Sequence, residues 1–150
     1  MKPVSRRRAR EVALQVLYCL DANPELEVSA ALALYFDRFA EAEKDEGGPG
    51  DEAVDRPFME MLVRGVSERR AAIDERLALL SRNWRIERIA RVERTILRIA
   101  LFELDHCPEV PARVALNEAI ELAKSYGAAD APAFVNGLLD SALNGPGGRK

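Results

Sequence analysis

The thirteen residues Val92–Leu104, VERTILRIALFEL, constrain the fold more than any other stretch of this chain. Read as a helix, the segment carries Ile96, Leu97, Ile99, Ala100, Leu101 and Phe102 around most of its circumference. A helix with so little polar surface must be covered by neighbours on most sides, which is the position of a central helix in a bundle. The following "DHCPEVP" forces a turn, because Pro108 and Pro111 lack the amide hydrogens that a continuing helix needs.

The rest of the chain supplies the neighbours. Ala9, Val12, Ala13, Val16, Leu17 and Leu20 recur at three- and four-residue steps, which predicts an amphipathic helix over about 5–20. Val28, Ala31, Leu32, Tyr35, Phe36 and Phe39 repeat the pattern. Asp55 can cap a third helix with Pro57 just inside its start, buried along Phe58, Leu62, Val66, Ile73, Leu77 and Leu80. A break is expected near Gly65–Ser67, since glycine inside a helix costs about 1 kcal/mol relative to alanine. Pro111 opens a helix that Gly127 closes. Asp130 caps a last one, with Pro132 in its first turn and Phe134, Val135, Leu138, Leu139 and Ala142 inward. The expectation is an all-α domain over 1–150 of about seven helices in two small packed bundles, approximately 1–82 and 83–145. An acidic Gly/Pro loop at 44–54 and a frayed tail, "NGPGGRK", complete the reading.

Composition excludes several functions. At 150 residues the chain is about one domain with room for a core, and 48% hydrophobic with 31% charged residues reads as soluble and globular. No apolar run approaches the roughly 20 residues of a membrane span. No signal-peptide core follows the arginines, because Glu11 and Gln15 interrupt it. Cys19 and Cys107 lie far apart, as reduced thiols of a cytoplasmic protein would. Catalysis has little to use. His106 is read as a solvated loop residue, and its adjacency to Cys107 does not give a nucleophile the geometry it needs. No ligand cluster points to a metal, and no cofactor is called for. Gly47, Gly48 and Gly50 lack the Lys-Ser/Thr of a phosphate loop and sit among acids that repel phosphate.

The charge is unevenly placed. The formal net charge is −3, yet five of the 22 basic residues fall in the first ten positions, before any acid. The other 17 face 25 acids. Arg6, Arg7 and Arg8 occupy the N-terminal end of the first helix, where the helix dipole disfavours cations. The local fold is expected to gain nothing from them, which leaves a polyanion as their reason. On a helical wheel Arg7, Glu11, Leu14 and Tyr18 lie opposite the apolar stripe. Arg7 can then pair a phosphate while Tyr18 offers an unstacked base a flat face. No helix-turn-helix with a basic second helix is present, so single-stranded RNA is preferred over duplex DNA.

Four blocks carry a resemblance: "KPVSRRRARE", "VERTILRIALFEL", "VPARVALNEAIELAKSYG" and "FVNGLLD". In this order and with compatible gaps, from Lys2 to about Ala142, the chain resembles the NusB family of bacterial transcription antitermination proteins. The resemblance implies a monomeric or homodimeric all-helical protein of two three- to four-helix subdomains. It implies binding of the single-stranded boxA element of ribosomal RNA leaders together with the ribosomal protein NusE. The complex would load onto elongating RNA polymerase, without catalysis. Matched by motif, the RNA side comprises Lys2, Pro3, Arg6, Arg7, Arg8, Arg10 and Tyr18, then Tyr126 and Asp130 of the "aromatic-Gly-Ala-x-Asp" turn, then Phe134 and Asn136. Glu87 and Glu93 match acidic positions turned toward NusE. Asp130 opposes RNA electrostatically, and its role is read as capping the last helix and accepting hydrogen bonds from base amines.

The "KDEGGPGDEA" loop is longer and more acidic than the family's, and "RNWRIERIARVER" fits only with extra residues around Trp84, a packing residue on this reading. Other functions considered are a DNA-binding regulator, a helical oligomerisation module with Tyr18 at a self-interface, and the N-terminal domain of an RNA methyltransferase. The last needs a Gly-rich nucleotide-binding unit that these residues lack.

Overall fold

The computed structural model describes residues 4–45, 53–81 and 85–144, with side chains between 38 and 45 left aside. Lys2, Pro3, the Gly47–Gly50 stretch, Trp84 and the "GPGGRK" end lie outside the described residues. Seven α-helices are found among the described residues: α1 (Arg6–Ala22), α2 (Val28–Asp45), α3 (Arg56–Glu68), α4 (Arg70–Leu80), α5 (Arg91–His106), α6 (Ala112–Tyr126) and α7 (Ala131–Asn144). The all-α class read from periodicity is the one observed. A 3-10 turn, Ile86–Arg88, precedes α5. The chain divides into two compact units at Ser67/Glu68, ahead of the boundary near 82 that the sequence led us to expect.

In the first unit, two short strands, β1 (Val4–Ser5) and β2 (Ala53–Val54), pair in parallel, which periodicity did not reveal. Ser5 and Asp55 follow from this ladder as helix starts. The Arg8 amide donates to Ser5 Oγ at 3.1 Å and the Phe58 amide to Asp55 Oδ1 at 3.2 Å. The Asp55 amide donates to the Ser5 carbonyl, also at 3.2 Å. The N-termini of α1 and α3 therefore lie side by side. The α3–α4 break falls at Arg69, not at Gly65–Ser67. Gly65 stays helical and buried, because packing of Leu62, Val63 and Val66 outweighs the cost of one glycine.

In the second unit, α5 packs against α4, α6 and α7. Every residue from Thr95 to Leu104 is buried, the expected place for this segment. Full burial takes Arg98 inside, and its Nε and Nη2 donate to the two Asp74 carboxylate oxygens at 2.8 and 3.0 Å. Arg76 of α4 forms an ion pair with Asp105 and donates to the Ala142 carbonyl at 3.4 Å, tying α4 to α5 and α7. His106 is the last residue of α5 and not a loop residue, its ring centroid 5.2 Å from that of Phe102. The α5 pattern thus runs two residues further than the turn signal implied, and Cys107 beyond it is buried.

The Arg98–Asp74 pair is bidentate, and one partner is only 4% exposed. Arg98→Ala leaves Asp74 without this partner and is expected to cost about 2–3 kcal/mol of unfolding free energy, read from urea denaturation.

Candidate nucleic-acid interface

In the first unit Arg6, Arg7, Arg8 and Arg56 stand in the first turns of α1 and α3, at the paired helix N-termini. Backbone amides at both ends create positive potential there, which suits an anion. The arginines nevertheless divide into different roles. Arg10 is 3% exposed, with its guanidinium 5.1 Å from the Phe58 ring centroid. Arg6 lies 4.6 Å from the same centroid, and its Nε is 3.8 Å from Asp55 Oδ2. Arg8 reaches Glu11 Oε2 at 3.4 Å. The expectation that the local fold gains nothing from this cluster is therefore corrected. Phe58 and Asp55, some fifty residues away in sequence, give Arg6 and Arg10 intramolecular roles. Arg7 is exposed.

Tyr18 is 39% exposed, as the wheel implied, but Leu14 on the same expected face is buried. Helix α1 packs against both α2 and β2, so more of its circumference is covered than one apolar stripe requires. Arg7 and Tyr18 are three turns apart, about 16 Å at 1.5 Å per residue, a span suited to an extended strand. Tyr35 of α2, not singled out as a site residue by periodicity, donates to Gln15 Oε1 at 3.2 Å beside them. Burial raises the Tyr35 hydroxyl above the usual tyrosine range, Arg8 lowers it and Glu11 raises it, so it remains a neutral donor at physiological pH.

The second unit holds the other expected residues. Tyr126, 39% exposed, ends α6, and Asp130 is exposed just before α7. The Phe134 amide donates to the Asp130 carbonyl at 3.2 Å, and these two residues share a helix face. Asn136, two residues further, is exposed but turns away from Phe134. The structure thus groups Tyr126, Asp130 and Phe134 around one turn and leaves Asn136 beside it.

Gly127 sits at the α6 C-cap with φ −93°, an ordinary value, so a left-handed backbone does not explain the glycine. Space explains it. A Cβ there would lie 2.6 Å from Ala131 Cβ and 2.9 Å from the Ala123 carbonyl. Glu93 lies under this turn, 7% exposed, its Oε1 accepting from the Ala128 amide at 3.3 Å. Glu87 is open to solvent. Of the two carboxylates expected at a partner surface, Glu87 is exposed, whereas Glu93 is largely buried and directs one oxygen inward to a backbone amide.

Residues 7–144 match the profile of the NusB family. The transcription antitermination protein NusB of Geotalea uraniireducens is 46% identical over 138 residues, covering 91% of this chain and 92% of the relative. Among solved structures, T. maritima NusB superposes with a TM-score of 0.75 at 29% identity, covering 93% of this chain and 90% of that one. A structure of antitermination factors NusB and NusE in complex with dsRNA superposes with a TM-score of 0.69 at 25% identity, covering 91% and 93%. With the family profile and a near-full-length relative in agreement, the chain belongs to the NusB family.

Proposed function

We propose that this protein is a transcription antitermination factor that binds boxA-type RNA of ribosomal RNA leaders together with the ribosomal protein NusE and loads onto RNA polymerase. Its part is recognition without catalysis, in the cytoplasm, and as a single RNA-binding domain. No helix among the described residues is long and apolar enough to cross a membrane. Family membership is the observation that carries the reading. The positive pole at the α1 and α3 N-termini supports it, with Arg7 exposed at that pole and Tyr18 exposed three turns further along α1.

On this reading Arg7 meets phosphate while Tyr18 and Tyr126 stack on bases, a contact worth about 1–3 kcal/mol per base. Lys2, Pro3 and Arg8 extend the first contact, and Arg6 contributes charge from a fixed position. Arg10 acts from beneath by supporting Phe58. Phe134 and Asn136 flank the second contact. NusE is met through exposed Glu87.

Titration of a labelled single-stranded boxA-type RNA tests the reading, with the same sequence as duplex RNA and as duplex DNA in competition. The single strand is expected to bind best, and the affinity to fall with salt at a log–log slope of about −0.7 per phosphate neutralised. Adding NusE should raise it. Equal binding of duplex DNA, or no response to salt, would refute the proposal.

Arg7→Ala should weaken RNA binding while changing stability by less than about 0.5 kcal/mol. Arg10→Ala should instead destabilise the fold by about 1–3 kcal/mol through lost packing and ring contact, measured by thermal unfolding. Asp130→Asn removes an exposed negative charge from the second contact, so the same titration should show tighter RNA binding.

A further inference from the structure

The most informative buried charge outside the expected RNA contacts is Glu93. It stands in the first turn of α5, where the helix dipole favours a carboxylate, yet it faces the α6–α7 turn. Its Oε1 accepts the Ala128 N–H, 35 residues away in sequence, at 3.3 Å. The Ala128 carbonyl in turn accepts the Ala131 amide at 3.0 Å, and the Gly127 amide donates to Ala123 at 2.9 Å. Ala128 is thus held on both of its backbone polar groups, one of them by a side chain from another helix. The same oxygen lies 3.4 Å from the position a Gly127 Cβ would take. Gly127 and the inward carboxylate of Glu93 therefore adjoin at the base of the same turn, although Ala131 and the Ala123 carbonyl are what a Cβ would strike.

We infer that Glu93 is a positioning residue for RNA recognition, fixing from below the turn that presents Tyr126 and Asp130. This rests on the reading that the Tyr126–Asp130 turn contacts RNA. Removing a buried acceptor leaves the Ala128 N–H without this bond, and a turn so released reorients the groups at its two ends. Flexibility at Tyr126 must then be lost again when a base stacks on it, and affinity falls without loss of any direct RNA contact. Glu93→Gln keeps an oxygen acceptor of the same length and is the conservative counterpart.

The test uses the full chain and single-stranded boxA-type RNA, with helicity from circular dichroism and Ala128 amide exchange from NMR. Glu93→Ala should weaken RNA binding about fivefold or more and speed Ala128 exchange, while Glu93→Gln stays within about twofold of wild type in both. Gly127→Ala pushes the same turn from its other side and should reproduce the loss with helicity retained. In a Tyr126→Ala background, Glu93→Ala should add little, since both changes act through one contact.

Wild-type RNA affinity in Glu93→Ala with faster Ala128 exchange would overturn the positioning role while leaving the RNA reading intact. Loss of NusE binding by Glu93→Gln with RNA binding unchanged would overturn it in favour of a direct partner contact. Failure of the wild-type chain to bind the RNA would remove both. Should Glu93→Ala not fold, the Gln and Gly127→Ala variants decide alone: equal wild-type affinity in both would overturn the inference.

Discussion

Burial of α5 from Thr95 to Leu104 on all sides is the constraint from which the rest of the second unit follows. Each fully buried Leu or Ile contributes about 1.5–3 kcal/mol, and this helix holds five within ten residues. A helix covered this completely cannot send its polar residues to solvent. Thr95 bonds the Arg91 carbonyl of its own helix at 2.7 Å. Arg98 meets Asp74, and Glu93 meets Ala128. The polar residues of α5 therefore determine where α4 and the α6–α7 turn must sit. Apolar packing supplies the stabilisation, and the need to satisfy buried Arg98 and Glu93 on other elements supplies the register.

The first unit solves a different problem. Its small parallel ladder sets two helix N-termini together, and each is capped by its own side chain, Ser5 or Asp55. Positive charge added at such a place is unfavourable for the helices taken alone. Asp55 and the face of Phe58 offset part of that cost for Arg6, and Phe58 does so for Arg10. The ladder that crowds the amides also brings in the groups that make the crowding tolerable.

Periodicity revealed the helices because burial on one face repeats along a single segment. It placed α5 at the centre, located Asp55 as a cap and put Tyr18 outside. It failed wherever a residue's environment is set by a distant segment. Leu14 was read as exposed because a wheel gives an angle and not the number of neighbours, and α1 has two. The motif match assigns Arg10 and Glu93 to binding surfaces but does not show their burial, because their partners, Phe58 and the Ala128 amide, stand far off in sequence. Gly127 was read correctly as the end of α6 but for its backbone freedom, when the approach of Ala131 is what excludes a side chain. The family match rests on four linear blocks and was legible for that reason. The division of labour within those blocks was not.

That division bears on how a small acidic protein can hold a polyanion. Affinity for RNA could come from many mobile cations, each of which surrenders about 2 kcal/mol of side-chain freedom when fixed on a phosphate. Here Arg6 is already positioned by a ring and a carboxylate, and the Tyr126–Asp130 turn is already tethered by Glu93. Groups ordered before the ligand arrives lose less on binding, so fewer of them are required. Fewer cations also leave a weaker attraction to any nucleic acid regardless of sequence, since that attraction scales with the phosphates neutralised. If these groups contact RNA as proposed, a preorganised basic pole and aromatic groups held at defined places let an acidic chain favour the correct strand by geometry. On the proposed reading, Phe58 and Glu93 would contribute to that selectivity from beneath, by fixing Arg6, Arg10 and the Tyr126–Asp130 turn.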